Sequence, residues 1–407
     1  MRTHPTWEAV VPGAERLLEP VGREGDAWRL RSTEGDCWRE VDTHRAVFVA
    51  APPCRPPWSV EATLSEFVPA DPYAQAGLVL WRDADRYVRL AAGFMPAGVD
   101  ALLEWGDRIE TSGLPPLWPR VWPMTLRLRM DVGRRVVRTW VADEADGPWW
   151  ALAAYTLPDL DGRERIGLLG VGGRSAAAPV LGDWRERPIP DWRDDDFDEA
   201  HLGEHWTRGR TVAQWGDTWG DAQTRLTVED GHLLVQPFPG SHIDRTYEVY
   251  PFISQSAPDD DTWAVEVALP GFDGTGPGRW RRAGMVLWER PGRFIHVAVV
   301  VDDLERVMNL EAVGCGLHDD DRRDLFMGGF GPPRRENVWL RLARTGPTAW
   351  RARGSFDRET WIDLGGFEAD LAEPRLRLFA TGDPMMFHPP GTVRAAFDYA
   401  RRVEVGP

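Results

Sequence analysis

The 407-residue chain contains no lysine, so all 48 of its basic residues are arginine. Acidic residues number 64, which gives a formal net charge of −16 at pH 7. A protein of this charge has no general electrostatic attraction to phosphate backbones or to anionic lipids. We therefore expect neither a nucleic-acid partner nor a membrane partner. The absence of lysine has two explanations: the codon bias of a GC-rich genome, or the avoidance of amine chemistry.

Cysteine is scarce as well, since Cys37, Cys54 and Cys315 are the three in the chain and none forms a CxxC motif. An odd number without that spacing argues against a disulfide framework and against a zinc site. No run approaches 18 apolar residues, and the first residues show no apolar core or small-residue cleavage pattern. These absences predict a cytoplasmic protein, and we expect no cofactor and no dedicated metal site. The acidic clusters Asp259–Asp261, Asp302-Asp303 and Asp319–Asp321 are either solvated turns or calcium ligands, and the sequence leaves this open.

Motifs for nucleotide binding and for nucleophilic catalysis are also missing. The sequence contains no P-loop, no glycine-rich dinucleotide motif between a strand and a helix, and no G-x-S-x-G elbow. What the chain does have is 41 glycines, 34 prolines and 22 tryptophans, with 43% hydrophobic residues. Aperiodic glycine and proline at this level are typical of an all-β protein with many turns. The length exceeds what one core usually covers and predicts two domains.

One stretch occurs twice. Residues 76–94 read as two strands around a polar turn, because apolar and other residues alternate on either side of Asp83-Ala84-Asp85. Residues 283–301 repeat this pattern at an offset of 207 (288 − 81 = 207). The same offset separates three pairs of residues, which are Trp81 and Trp288, Arg89 and His296, and Glu104 and Glu311. The chain is therefore predicted to contain one β-domain twice, over residues 1–190 and 191–407.

These residues carry a family resemblance. Residues 74–94 and 281–301 resemble the "regulation of enolase" family of β-sandwich domains, and they are similar to the C-terminal sandwich of family 43 glycosidases. A later motif of that family, a strand LRL followed by a serine-aspartate turn and a tryptophan, is present at 340–361. In the first unit the serine is replaced by Ala142. The resemblance implies two tandem concanavalin A-like jelly-roll sandwiches, and it brings no assigned reaction.

Alternation along the hairpins assigns side chains to faces. If Leu78 and Leu80 face the core, the tryptophan and polar residues at the intervening positions face the other way. The predicted clusters are Trp81, Arg89 and Glu104 in the first unit, and Trp288, His296, Asn309 and Glu311 in the second. Exposed aromatic faces with a few fixed polar groups suit sugars. The alternative is that these tryptophans cover the sheet and the glutamates pair with arginines.

Two further stretches hold candidate ligand-binding residues. Trp215 and Trp219 lie four residues apart in a glycine-rich segment. This segment is either a stacking platform for a ligand or a loop fixed to the edge of the sandwich. His242 and Asp244 share one face of a strand, as paired acid and base groups would, and Arg245 follows them.

The leading hypothesis is a non-catalytic protein that binds a carbohydrate or a glycosylated small molecule through its second unit. The rival hypothesis is a hydrolase or lyase acting on a glycoside or related metabolite, with Glu311 as acid or base and His296 as its partner. Aromatic walls would raise the pKa of such a carboxylate. Glycosidases of this fold carry two carboxylates in an E-x-D-x-x-E pattern, which we do not find, so the sequence favours binding. A third hypothesis is a protein-interaction scaffold. The sequence leaves the oligomeric state open.

Overall fold

The computed structural model describes residues 5–21, 26–31, 46–69, 73–93, 98–113, 125–143, 147–158, 160–171, 175–211, 225–237, 241–243, 248–275, 281–302, 307–317, 337–382 and 392–405. These residues form two compact units, unit 1 up to Ile189 and unit 2 from Pro190 onward. Throughout these ranges the helical structure is limited to one 3-10 turn, Glu15–Leu17, and no helix is long and apolar enough to cross a membrane. The predicted all-β fold class is confirmed.

The strands of unit 1 are short, from two to nine residues. In chain order they are β1 (Glu8–Ala9), β2 (Leu18–Val21), β3 (Ala27–Leu30), β4 (Val47–Ala50), β5 (Trp58–Ser65), β6 (Val68–Pro69), β7 (Gln75–Asp83), β8 (Arg86–Ala92), β9 (Val99–Trp105), β10 (Arg108–Gly113), β11 (Leu126–Val132), β12 (Val136–Ala142), β13 (Trp149–Thr156), β14 (Arg165–Val171), β15 (Ser175–Ala177) and β16 (Val180–Pro188).

Two sheets pack face to face in unit 1. One has seven strands in the order β1-β4-β14-β7-β8-β9-β10, and the other runs β2-β3-β16-β5-β11-β12-β13. Since β7 packs against β5 and β11, Leu78 and Leu80 are buried on the inner face, as their alternation predicts. The outer face of the same sheet is also buried, with Val79, Trp81 and Tyr87 in a second apolar cluster.

The strands of unit 2 are also short, from two to ten residues. In chain order they are β17 (Thr207–Thr211), β18 (Arg225–Glu229), β19 (His232–Gln236), β20 (His242–Ile243), β21 (Glu248–Val249), β22 (Pro251–Ser256), β23 (Trp263–Leu269), β24 (Gly271–Thr275), β25 (Arg281–Arg290), β26 (Arg293–Asp302), β27 (Val307–Cys315), β28 (Val338–Arg344), β29 (Ala349–Ser355), β30 (Ile362–Glu368), β31 (Arg375–Thr381), β32 (Thr392–Phe397) and β33 (Tyr399–Val403).

Unit 2 is also layered. The first layer has the order β17-β22-β31-β25-β26-β27, and it faces a five-stranded sheet, β30-β29-β28-β23-β33, and a four-stranded sheet, β18-β19-β32-β24. The core between the layers includes Met285 and Leu287 from β25 together with Val265 and Leu340 from the opposite sheet. Alternate residues of β25 to β27 point away from this core, and these residues form the candidate site.

The β7–β8 and β25–β26 hairpins have the same register up to their turns. Trp81 pairs with Tyr87 and Trp288 pairs with Phe294, and a β-bulge follows each tryptophan.

A glycine on the first strand of each hairpin lies close to the neighbouring backbone. A Cβ atom on Gly77 would lie 2.0 Å from a carbonyl oxygen of β8, and one on Gly284 would lie 2.1 Å from the carbonyl oxygen of Val297 on β26.

Replacement of Gly284 by alanine is therefore expected to destabilise the protein by about 1–3 kcal/mol, because a backbone carbonyl inside a sheet cannot move aside as a side chain can. Chemical denaturation of the full chain measures this loss. Gly271→Ala is the matched control, since the nearest atom to its added Cβ is the Ala396 Cβ at 4.0 Å. Equal stability of the two variants would contradict the prediction.

Candidate functional site

The candidate site in unit 2 lies on the outer face of three neighbouring antiparallel strands. The register pairs His296 of β26 with Val286 of β25 on one side and with Val313 of β27 on the other. Glu311 pairs with Ala298, one row along the sheet. Because residues two apart share a face, His296 and Glu311 point to the same side and lie on adjacent strands.

His296 and Glu311 form a buried pair that is completed by an arginine. His296 Nε2 lies 2.9 Å from Glu311 Oε1, and Arg282 Nε donates to the same oxygen at 2.5 Å. The exposed fractions of His296 and Glu311 are 2% and 1%. Arg282 lies on β25 of the same hairpin, which places its long side chain within reach of β27. The glutamate of this site is thus paired with an arginine, which is the alternative that the sequence left open.

Glu311 is an ionised carboxylate. Burial by itself raises the pKa of its carboxyl group, but the hydrogen bond from His296 and the attraction of His296 and Arg282 outweigh burial and lower the pKa to about 2. The expectation that the surroundings raise this pKa was therefore wrong, because the hydrogen bonds and charges of His296 and Arg282 outweigh the effect of burial. An ionised carboxylate accepts hydrogen bonds only, so His296 Nε2 carries the shared proton.

Three buried polar atoms on this face lack a hydrogen-bond partner among the residues that the structure describes. They are His296 Nδ1, Asn309 Oδ1 and Glu311 Oε2. Asn309 lies two residues before Glu311 on β27 and pairs with Val300, so its side chain is on the same face. Such atoms cost about 1–3 kcal/mol each when left unpaired, and in native proteins they mark sites that need an explanation.

A second cluster lies one strand away, around Arg377 of β31. The register pairs Arg377 with Ser254 of β22 and with Val286 of β25, so Phe252 and Trp288 are its diagonal neighbours on the same face. Its guanidinium carbon lies 3.6 Å from the centre of the Trp288 ring and 3.9 Å from that of Phe252. Trp288 is 1% exposed. The expectation that Trp288 offers a free stacking face is therefore wrong, because the arginine of the next strand covers it.

Glu248 contacts both Trp288 and Arg377 in this cluster. Trp288 Nε1 donates to Glu248 Oε2 at 3.0 Å, and the backbone amide of Gly292 donates to Oε1 at 2.6 Å. Arg377 Nη1 donates to the Tyr250 hydroxyl at 3.1 Å and lies 3.9 Å from Glu248 Oε2. Burial raises the pKa of the Glu248 carboxyl group, against the opposing effects of Arg377 and of these hydrogen bonds.

The corresponding residues of unit 1 make different contacts from those predicted. Trp81 stacks on Tyr87 with ring centres 5.7 Å apart, and the Tyr87 hydroxyl donates to Glu104 Oε2 at 2.8 Å. Arg89 donates instead to Gln75 and, at 3.3 Å, to Asp100 Oδ2. Trp81, Arg89 and Glu104 are all buried. The predicted cluster of Trp81, Arg89 and Glu104 is therefore wrong as an exposed platform, because all three are buried and Glu104 bonds to Tyr87.

Glu104 and Glu311 are not structurally equivalent, although they share the offset of 207. Tyr87 pairs with Glu104, whereas Phe294 of unit 2 pairs with Cys315. The second hairpin of unit 2 is four residues longer, so the residue opposite Ala298 is Glu311 and the residue opposite the matching Ala91 is Asp100. The residues at equivalent positions are Gln75, Arg89 and Asp100 in unit 1, and Arg282, His296 and Glu311 in unit 2.

The remaining predicted residues are not part of these clusters. His242 lies on β20, where it pairs with Val249 of β21, and it makes further contacts of its own. Trp215, Trp219, Asp244 and Arg245 lie outside the described residues. Among the described residues, no group of three or more histidine, cysteine, aspartate or glutamate side chains is placed to hold a metal ion.

Three residues of these clusters, Arg377, Glu248 and Arg282, were not predicted from the sequence. Arg377 stands in an alternating segment, RLRLFAT, where its parity with Phe379 assigns it to the outer face. An arginine between leucines of a buried strand was a usable signal. Glu248 had no such signal, because it reaches the site from a two-residue strand that is distant in sequence from its partners.

The comparisons with known proteins give distant similarities. No protein family and no curated protein matches the chain. Among solved structures, the GH43 protein BlXynB from Bacillus licheniformis aligns over 92% of this chain and 90% of its own, with 11% identity and a TM-score of 0.41. The Bacteroides ovatus xyloglucan PUL GH43B aligns over 95% and 96%, with 12% identity and a TM-score of 0.38. A functionally unknown protein from Saccharomyces cerevisiae aligns over 46% and 97%, with 14% identity and a TM-score of 0.36. Similarity at this level establishes neither a family nor an activity, and the resemblance to the "regulation of enolase" family stays a prediction.

Proposed function

We propose that unit 2 binds a carbohydrate or a glycosylated small molecule on the outer face of β25 to β27, without catalysing its conversion. The observation that supports this proposal is the set of three unpaired buried atoms, His296 Nδ1, Asn309 Oδ1 and Glu311 Oε2. Asn309 Oδ1 and Glu311 Oε2 are hydrogen-bond acceptors. His296 Nδ1 belongs to a ring whose orientation is fixed by the bond between Nε2 and Glu311. Sugar hydroxyl groups donate and accept hydrogen bonds, so adjacent hydroxyls can satisfy all three atoms.

The burial of these atoms explains why a binding site fits better than an arrangement of structural ion pairs alone. Arg282 and His296 both bond to Glu311 Oε1, which leaves Oε2 unused. An ion-pair network optimised for stability would use both carboxylate oxygens, because each unmade bond costs free energy. A site prepared for a ligand keeps such atoms oriented and unpaired until the ligand binds.

Asn309→Ala is expected to weaken sugar binding by about tenfold, equivalent to ~1.4 kcal/mol, since it removes one hydrogen-bond acceptor. A thermal-shift screen over neutral and acidic sugars selects the probe, and isothermal titration calorimetry on the full chain measures the affinity. Thr227→Ala is the control, because the Thr227 hydroxyl bonds to Glu229 on β18. Binding unchanged in Asn309→Ala, or the absence of stabilisation by any sugar, would reject the proposal.

A second candidate function is an enzyme with His296 as general base. The observation that favours it is the anchoring of His296 by an ionised Glu311, which orients the ring and leaves Nδ1 without a partner among the described residues. In this reading the carboxylate is a positioning group, since its lowered pKa leaves it unable to donate a proton at neutral pH. Turnover of the bound glycoside that is lost in His296→Gln, with binding retained, would distinguish this function from simple binding.

We infer further that the two units derive from one concanavalin A-like sandwich. Each contains a layer of equivalent order, β1-β4-β14-β7-β8-β9 in unit 1 and β17-β22-β31-β25-β26-β27 in unit 2. The bulges after Trp81 and Trp288 fall at the same place in these layers. An experimental structure of unit 2 with β25 in another position of the sheet would contradict this inference.

A further inference from the structure

Arg377 has an unused binding edge. Its Nη1 donates to Tyr250, whereas Nε and Nη2 are buried and have no hydrogen-bond partner in the described part of the chain. The side chain is 0% exposed. A buried guanidinium normally uses all of its donors, because an unpaired charged donor in a dry site is costly. The Nε and Nη2 atoms lie side by side along one edge of the guanidinium group.

That edge matches one chemical group. Two parallel N–H donors in a fixed plane bind the two oxygens of a carboxylate in a bidentate manner. The plane of Arg377 is fixed, because the rings of Trp288 and Phe252 hold it at 3.6 and 3.9 Å and Tyr250 holds one end. The group is therefore preorganised, and a ligand carboxylate would not have to order it on binding.

Charge separates the two ends of this face. Val286 lies between Arg377 and His296 in the register, so the two backbones are two strand spacings apart, about 10 Å. Glu311 is ionised at one end and repels an anion. At the other end Glu248 lies 3.9 Å from Nη1 of Arg377, which leaves the Nε and Nη2 edge of the guanidinium to attract an anion. A ligand with hydroxyl groups on one side and a carboxylate on the other is complementary to both ends.

We propose that Arg377 binds the carboxylate of an acidic sugar, so that the ligand of unit 2 is a uronic acid or a uronic acid-containing glycoside. This inference rests on the proposed sugar-binding function and specifies its ligand class. The hydroxyl groups of the sugar ring bind to His296, Asn309 and Glu311, and its carboxylate binds to Nε and Nη2 of Arg377.

The test compares three probes on the full chain by isothermal titration calorimetry at pH 7. D-Glucuronate and D-glucose share a ring and differ at the carboxylate, and acetate carries the carboxylate without the ring. We expect glucuronate to bind at least about tenfold more tightly than glucose. Arg377→Lys keeps the positive charge but loses the planar fork, so it is expected to remove this preference.

A neighbouring arginine provides the matched control. Arg375 is also buried on β31, but its Nε and Nη2 already donate to Ser254. Arg375→Lys tests the general effect of replacing a buried arginine and is expected to keep the preference for glucuronate. Melting temperatures of both variants report whether they fold, and the comparison of probes on the unmodified protein needs no variant.

Each outcome separates the two proposals. Equal affinity for glucose and glucuronate would overturn the assignment of Arg377 and leave sugar binding intact. Acetate binding that depends on Arg377, without binding of either sugar, would support the carboxylate site and reject the sugar-binding function. A preference for glucuronate that survives in Arg377→Lys would overturn the assignment, and failure of all three probes to bind would overturn both proposals.

Discussion

Replacement of Trp288 by alanine is expected to lower the free energy of unfolding by about 3–5 kcal/mol, the range for a large buried aromatic residue. Trp288 is 1% exposed, and its ring covers the Arg377 guanidinium at 3.6 Å. Its indole N–H also donates to Glu248 at 3.0 Å. Truncation therefore leaves a cavity, removes a ring from a buried cation and leaves a buried carboxylate with one donor fewer.

Urea denaturation of the full chain, followed by circular dichroism, measures this loss. Trp361→Ala is the matched control in the same unit. Trp361 is partly exposed and packs under Arg341 at 3.9 Å, so its replacement is expected to cost less than about 1.5 kcal/mol. A loss below about 1 kcal/mol in Trp288→Ala would mean that the ring is accessible in solution, as a sugar-stacking platform requires.

Glu311→Gln is expected to destabilise the protein by about 3 kcal/mol at pH 7 and by roughly half as much at pH 3. The pKa of Glu311 is lowered from 4.5 to about 2 in the folded protein. A carboxylate with a depressed pKa contributes stability that is present above its unfolded pKa and is lost as the pH falls through its folded pKa. The contribution of Glu311 is therefore lost between about pH 5 and pH 2, and glutamine removes it at every pH.

Denaturation of wild type and Glu311→Gln at pH 7 and pH 3 tests this prediction. Glu368→Gln serves as the control, because Glu368 is exposed on β30 and its replacement is expected to change stability by less than about 0.5 kcal/mol at both pH values. A difference between wild type and Glu311→Gln that does not change with pH would show that Glu311 is not held as an ionised partner of His296 and Arg282.

The proposed binding of an acidic sugar and the predicted effect of Trp288→Ala both depend on the contact between the Trp288 ring and the Arg377 guanidinium. If Arg377 binds a carboxylate, its orientation depends on the Trp288 and Phe252 rings, so Trp288→Ala loses ligand preference together with stability. Trp288 is then a positioning residue for Arg377, and it does not stack on the sugar itself. Its effect on binding is read from the ratio of glucuronate to glucose affinity in the fraction of protein that remains folded.

The face assignment was accessible from the sequence, because a period of two is a local property of extended backbone. Alternation placed Trp288, His296 and Glu311 on one side of their strands, and the register agrees. It did not reveal burial of that side. Periodicity reports which residues point together, whereas exposure depends on everything packed against that face.

The sequence by itself determined the all-β class and the repeated hairpin, since both follow from alternation, turn residues and the recurrence of one stretch. Only the tertiary structure decided which residues meet. Ala91 and Ala298 occupy equivalent positions, but Ala91 pairs with Asp100 and Ala298 pairs with Glu311. The partners differ because the β26–β27 hairpin is four residues longer than the β8–β9 hairpin. Tyr250 and Arg377 are hydrogen-bonded although they lie 127 residues apart in sequence, and Glu248 meets Arg377 over a similar separation. Such contacts, and the pKa of about 2 that they impose on Glu311, depend on distances of a few ångströms that no local pattern encodes.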